Sequence, residues 1–145
     1  MARTYGAFSL NAPNKLIAYI TLVCGQIELE DPELGEDVDY RYDHYPAVKI
    51  ARLATDRRLR GQGIGEALVD FSLGLIRTQI CPYVGCRFVV VDSKQTAVTF
   101  YSKKCGFTLL DTEENRNLDS PLLFLDLYKV EKAIDAADAD KSASS

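Results

Sequence analysis

Arg57-Arg58-Leu59-Arg60-Gly61-Gln62-Gly63-Ile64-Gly65-Glu66-Ala67-Leu68 is the stretch whose reading decides the fold. Before it, Ala47 to Thr55 reads as a strand. After it, Ile64, Ala67, Leu68, Phe71 and Leu75 fall at the spacing of one helical face, widened by Val69, Leu73, Ile76 and Ile80. The helix is expected to end near Pro82. Three alternate glycines therefore mark the point where the apolar period changes from strand to helix. Beyond them, Arg87-Phe88-Val89-Val90-Val91 is an apolar run suited to a central strand. A strand–helix–strand unit over residues 47–91 implies a parallel pair joined by a right-handed crossover.

The flanks add mostly antiparallel structure. Tyr5–Leu10 and Leu16–Val23 form two strands around the turn residues Asn11-Ala12-Pro13-Asn14, and Gln26–Leu29 extends the second. Asp92 or Ser93 is expected to cap a second helix through Lys103, stopping at Gly106. Phe107–Leu110 and Leu122–Val130 read as two further strands. The order β-β-β-α-β-α-β-β predicts a three-layer α/β domain over residues 1–130 with a mixed sheet. Residues 131–145 form a small, polar tail expected to fray.

Composition narrows the function. The chain has 145 residues, 47% hydrophobic and 26% charged, which excludes a disordered chain, a collagen and a coiled coil. No apolar run approaches the roughly 18 residues of a membrane span. Met1-Ala2-Arg3-Thr4-Tyr5 lacks the layout of a signal peptide, so a cytoplasmic protein is expected. Net charge is −4, and it is unevenly placed. Glu28, Glu30, Asp31, Glu33, Glu36, Asp37, Asp39 and Asp43 crowd one loop, opposed only by Arg41; Lys49, Arg52, Arg57, Arg58 and Arg60 come next, opposed only by Asp56. Cys24, Cys81, Cys86 and Cys105 make no CxxC, and His44 is the only histidine. No metal site with the usual Cys/His spacing is written here, and no serine or cysteine triad is favoured.

Glycines at a strand-to-helix turn bring backbone N–H groups close to an anion, at the positive end of the helix. The spacing is neither GxGxxG nor a GK[ST] loop. A plain connecting turn with solvated arginines is an equal reading of the residue types alone. Arg60-Gly61-Gln62-Gly63-Ile64-Gly65, however, resembles the R/Q-x-x-G-x-G/A signature of the GNAT superfamily of N-acetyltransferases. Ala97-Val98-Thr99-Phe100-Tyr101-Ser102-Lys103-Lys104-Cys105-Gly106-Phe107 resembles the A-x-x-F-Y-x-x-x-G-F segment of the same superfamily. Ile50-Ala51-Arg52-Leu53-Ala54-Thr55-Asp56-Arg57-Arg58 and Val90-Val91-Asp92-Ser93 are similar to strands of the GNAT toxins of toxin–antitoxin pairs, which acetylate the α-amine of aminoacyl-tRNA.

The resemblance implies an acetyl-CoA-dependent N-acetyltransferase whose acceptor amine attacks directly, with no metal. It implies that Arg60, Gly61, Gln62, Gly63, Ile64, Gly65 and Glu66 cradle the cofactor pyrophosphate. It also implies that the backbones of Leu53, Ala54 and Thr55 pair with the pantetheine arm. Tyr101 becomes the proton donor to the departing thiolate; by position alone it reads as a core aromatic. A general base is not evident: Glu28, Glu30, Asp31 and His44 read as solvated loop residues. Two departures stand out. Lys94 replaces the Asn or Asp of many relatives. The strand and two helices that usually precede the opening hairpin are not present in residues 1–4, so a homodimer, a completing partner or a further segment is expected to supply that wall. The acceptor is left as a small molecule, a peptide or an aminoacyl-tRNA, with an antitoxin as partner in the last case. A non-catalytic acyl-CoA-binding module remains the alternative.

Overall fold

The computed structural model describes residues 1–29 and 44–144. Most of the acidic stretch, with Glu30 and Asp31, lies outside the described residues. Six strands form one mixed sheet. β1 (Arg3–Ser9) and β2 (Ala12–Glu28) make a hairpin, and β3 (His44–Thr55) pairs antiparallel with β2. Helix α1 (Ile64–Leu75, prolonged by a wider turn over Ile76–Ile80) crosses over to β4 (Phe88–Asp92), which lies parallel to β3. α2 is next, a tight turn (Gln95–Ala97) opening into wider turns (Phe100–Lys104). Then come β5 (Thr108–Leu109), a one-turn helix α3 (Glu113–Arg116), β6 (Leu122–Asp126) and helix α4 (Leu127–Ala143). The sheet order is β1-β2-β3-β4-β6-β5, with β3–β4 as the parallel pair.

Strand alternation divides the core. Ala18, Ile20, Leu22, Val48, Ile50, Val89 and Val91 face one way and pack with Leu68, Val69 and Ile76 of α1 and Tyr101 of α2. Ile27, Leu29, Tyr45, Ala47, Phe88, Val90 and Phe124 form a second cluster on the other face. Phe88 is fully buried there, edge-on to Tyr45 and Phe124.

Two local expectations are corrected. The strand expected to run to Val130 ends at Asp126, because Asp126 caps a helix there, accepting from the Tyr128 N–H at 3.1 Å. The same carboxylate takes a two-pronged bond from Arg87 at 2.9 and 2.7 Å, which ties the start of α4 to the entrance of β4. Helix α4 runs on to Ala143, with its side chains from residue 131 onward in solvent. The cap of α2 is neither Asp92 nor Ser93: Lys94 stands at that position, Asp92 is ion-paired to Lys49, and the Ser93 hydroxyl donates to the Lys94 carbonyl.

Candidate active site

The site begins with a gap in the sheet. The β3–β4 ladder runs from Ala47–Phe88 to Ile50–Val91 and stops. On its other edge β3 stays paired with β2 as far as Thr55–Ala18. At the divergence Ile50 faces Leu22 while Arg52 faces Thr21, so Ala51 is an extra, bulged residue. A bulge bends its strand and re-aims the residues beyond it. Residues 51–55 thus carry one backbone edge toward β4 that β4 no longer meets.

The glycine turn closes the end of this gap. Asp56 accepts from the Arg58 N–H at 3.0 Å and holds the Arg58 guanidinium at 3.1 Å. The neighbouring guanidinium and N–H hold the Asp56 carboxyl below its usual range. Arg58 is therefore engaged locally, whereas Arg60 lines the cavity. Gly61 and Gly63 have φ of +80° and +78°, the left-handed region that other residues enter at a cost, and open space lies where a Cβ would stand at either. A Cβ at Gly65 would lie 3.4 Å from the Phe100 ring, so this glycine lets α1 approach α2.

Around the gap is a cavity of about 470 Å³. Of the residues singled out in the sequence, Leu53, Ala54, Thr55, Arg60, Gly61, Gly63, Ile64, Gly65, Glu66 and Tyr101 line it; Gln62 is not among its lining residues. Leu59, Lys94, Ala97, Phe100 and Lys104 line it as well. Apart from Lys94, already marked as a departure, these lining residues went unassigned in the sequence reading. Ala97, Tyr101 and Lys104 keep helical spacing from Lys94, the signal that could have found them. A second cavity of about 430 Å³ is lined by Tyr19, Ile50, Ala51, Arg52, Leu53, Arg60, Val91, Asp92, Ser93, Lys94, Ala97 and Tyr101. The two cavities share Leu53, Arg60, Lys94, Ala97 and Tyr101.

Tyr101 is buried between Phe100 and Phe107, whose rings stand edge-on at 5.0 and 5.7 Å. Burial, and then the neighbouring Cys105, push its phenol up to about 12. Glu28 and His44 are exposed and face each other at the opposite end of the β2–β3 ladder. Nine residues separate His44 from Leu53 along β3, about 30 Å of strand, so neither serves as base at this gap. Among the described residues, no group of three or more His, Cys, Asp or Glu could hold a metal ion. No helix among them is long and apolar enough to cross a membrane.

No curated protein matches the sequence. Several solved structures match in fold. AtaT complexed with acetyl-methionyl-tRNAfMet is 26% identical, with a TM-score of 0.75 over 92% of this chain and 75% of that one. A tyrosine-to-phenylalanine mutant of KacT gives 26% identity and a TM-score of 0.75 over 91% and 75%. An AtaT mutant toxin bound to the C-terminus of the antitoxin AtaR and acetyl-CoA gives 26% and 0.68 over 92% and 72%. Residues 12–109, about two thirds of the chain, match the acetyltransferase (GNAT) domain, and with the splayed β3–β4 pair and glycine turn in place, the chain belongs to that family of acetyltransferases.

Proposed function

We propose that the protein transfers the acetyl group of acetyl-CoA to a primary amine by direct attack, in the gap between β3 and β4. The observation that carries this is the meeting of two cavities at Tyr101. One holds the glycine turn with Arg60, Lys94 and Lys104, a set suited to a pyrophosphate and an extended thiol arm; the other opens toward an acceptor. Acetyl-CoA would supply an activated thioester. The free backbone edge of Leu53, Ala54 and Thr55 would pair with its amide-bearing arm as a strand does, and an N–H there would polarise the thioester carbonyl.

The proton balance turns on Tyr101. As the amine nitrogen bonds to the acetyl carbon, the carbon–sulfur bond breaks and sulfur leaves with the electron pair. The nitrogen loses one proton and the thiol gains one. A phenol pushed up to about 12 holds its proton roughly a thousandfold or more tighter than an ordinary thiol. Tyr101 therefore acts first as a hydrogen-bond donor to the departing sulfur. Any proton it passes on is replaced by the one the nitrogen sheds. An acceptor α-amine, which ionises near 8, needs little help from a base at neutral pH.

A second reading narrows the acceptor to the α-amine of an aminoacyl-tRNA. Arg52, Arg60 and Lys94 line the second cavity against a single acid, Asp92, among its described residues, so this mouth suits a polyanion despite the net charge of −4. The AtaT complex with acetyl-methionyl-tRNAfMet supports it. An antitoxin partner belongs to this reading alone. The test is calorimetry with acetyl-CoA, then thiol release with amino-acid amides and with aminoacyl-tRNA. Transfer to tRNA that weakens steeply with salt supports the second reading. Binding without thiol release on any acceptor refutes the enzyme and leaves a binding module.

A further inference from the structure

Beside the end of the β3–β4 ladder, where the gap opens, lies an ion pair that the proposed chemistry does not use. Along β4, Val89 and Val91 face α1, whereas Phe88 and Val90 face away. Asp92 continues the second set onto the face opposite Tyr101. Along β3, Tyr45 and Ala47 face the same way, and Lys49 continues them. There the Lys49 ammonium sits on the Asp92 carboxylate, with the two side chains 36% and 40% exposed. Asp92 is held in place by its backbone pairing with Leu122 of β6. It lines the cavity that also holds Tyr101, and it is the one acid among the described lining residues.

An amine acceptor arrives largely as an ammonium at neutral pH. Arg52, Arg60 and Lys94 repel it, so something must hold that group before it loses its proton and attacks. A carboxylate that already binds a primary ammonium, at the rim of the gap, has the chemistry required. An ion pair this exposed adds little to stability, so exchanging the Lys49 ammonium for another costs the fold little.

We infer that Asp92 receives the ammonium of the acceptor, and that Lys49 is the counter-ion which yields its place. This inference rests on the acetyltransfer reading. It adds a specificity element: a cation-binding carboxylate set among bases, which selects amines over hydroxyl acceptors.

The test compares Asp92→Asn, Asp92→Glu and Lys49→Met with the unmodified protein. The acceptor is whichever of an amino-acid amide or an aminoacyl-tRNA the unmodified protein acetylates. Asp92→Asn is expected to raise the acceptor KM by about tenfold or more, as for a lost charged hydrogen bond, with kcat and acetyl-CoA affinity little changed. Asp92→Glu restores most of the KM. Lys49→Met lowers it, because the carboxylate is vacant. An unchanged KM in Asp92→Asn overturns the inference, and so does a rise in both Asp92→Asn and Lys49→Met, the mark of a merely structural pair. If the unmodified protein binds no acetyl-CoA or acetylates neither acceptor, the acetyltransfer reading itself falls and the inference with it.

Discussion

Tyr101 keeps its proton well above neutral pH, through the range in which an α-amine that ionises near 8 becomes free to attack. Burial among Phe100, Phe107 and the apolar face of the sheet disfavours the phenolate, and Cys105 adds to this. The rate should therefore rise with pH as the acceptor loses its proton, and Tyr101 should contribute no alkaline descent below about pH 11. Tyr101→Phe is expected to lower kcat by about 10²-fold with nearly intact acetyl-CoA affinity, leaving the shape of the profile unchanged. Stopped-flow thiol release across pH 6–10 measures both. Wild-type turnover in the variant would reduce the phenol to packing, while a variant whose profile loses an alkaline limb would mean that Tyr101 titrates far lower.

The glycine turn shows the same economy at the level of an element. Gly61 and Gly63 meet nothing where a Cβ would stand, so substitution there acts through backbone strain and through filling the space proposed for the cofactor, not through a clash inside the protein. Gly63→Val is expected to destabilise the fold by about 1–2 kcal/mol and to abolish acetyl-CoA binding. Denaturant unfolding and calorimetry check the two separately, and a folded variant with wild-type affinity would refute the assignment of the turn. This element was legible because a glycine pattern, a strand and an amphipathic helix agree on one turn. The parallel pair over residues 47–91 was legible for the same reason. The bulge at Ala51 was not, because nothing in Ile50-Ala51-Arg52 distinguishes an extra residue from a regular one. Nor was the switch to helix at Leu127: Leu122 to Val130 reads as one apolar run, and the helix start depends on Arg87, 39 residues before Asp126, binding the capping carboxylate. Tyr101 was placed by resemblance, since its position on the apolar face of α2 alone reads as core.

Across the whole molecule, three weak acids resist ionisation together: Tyr101, which is buried, and Cys86 and Cys105, which are half-buried. Burial pushes Cys86 and Cys105 up from 9.0 to about 11, and Tyr101 from 10.0 to about 12. Between about pH 9 and 12 the unfolded chain has lost protons that the folded chain retains, so stability is complete below pH 9 and declines as pH rises through these values. Urea midpoints are expected to fall between pH 8.5 and pH 10.5, and a flat midpoint would contradict the burial of these groups. The parallel rung has a different kind of consequence, in time. Ala47 meets Phe88 only after a segment of about 40 residues has closed, whereas β1 and β2 join across a tight turn. The gap beside Ile50 and Val91 cannot exist until that rung has formed, so the proposed donor pocket is expected to form late in assembly. A ligand held there should then act on departure from the native state and not on arrival: saturating acetyl-CoA slows unfolding in a chevron experiment and leaves the refolding limb where it was.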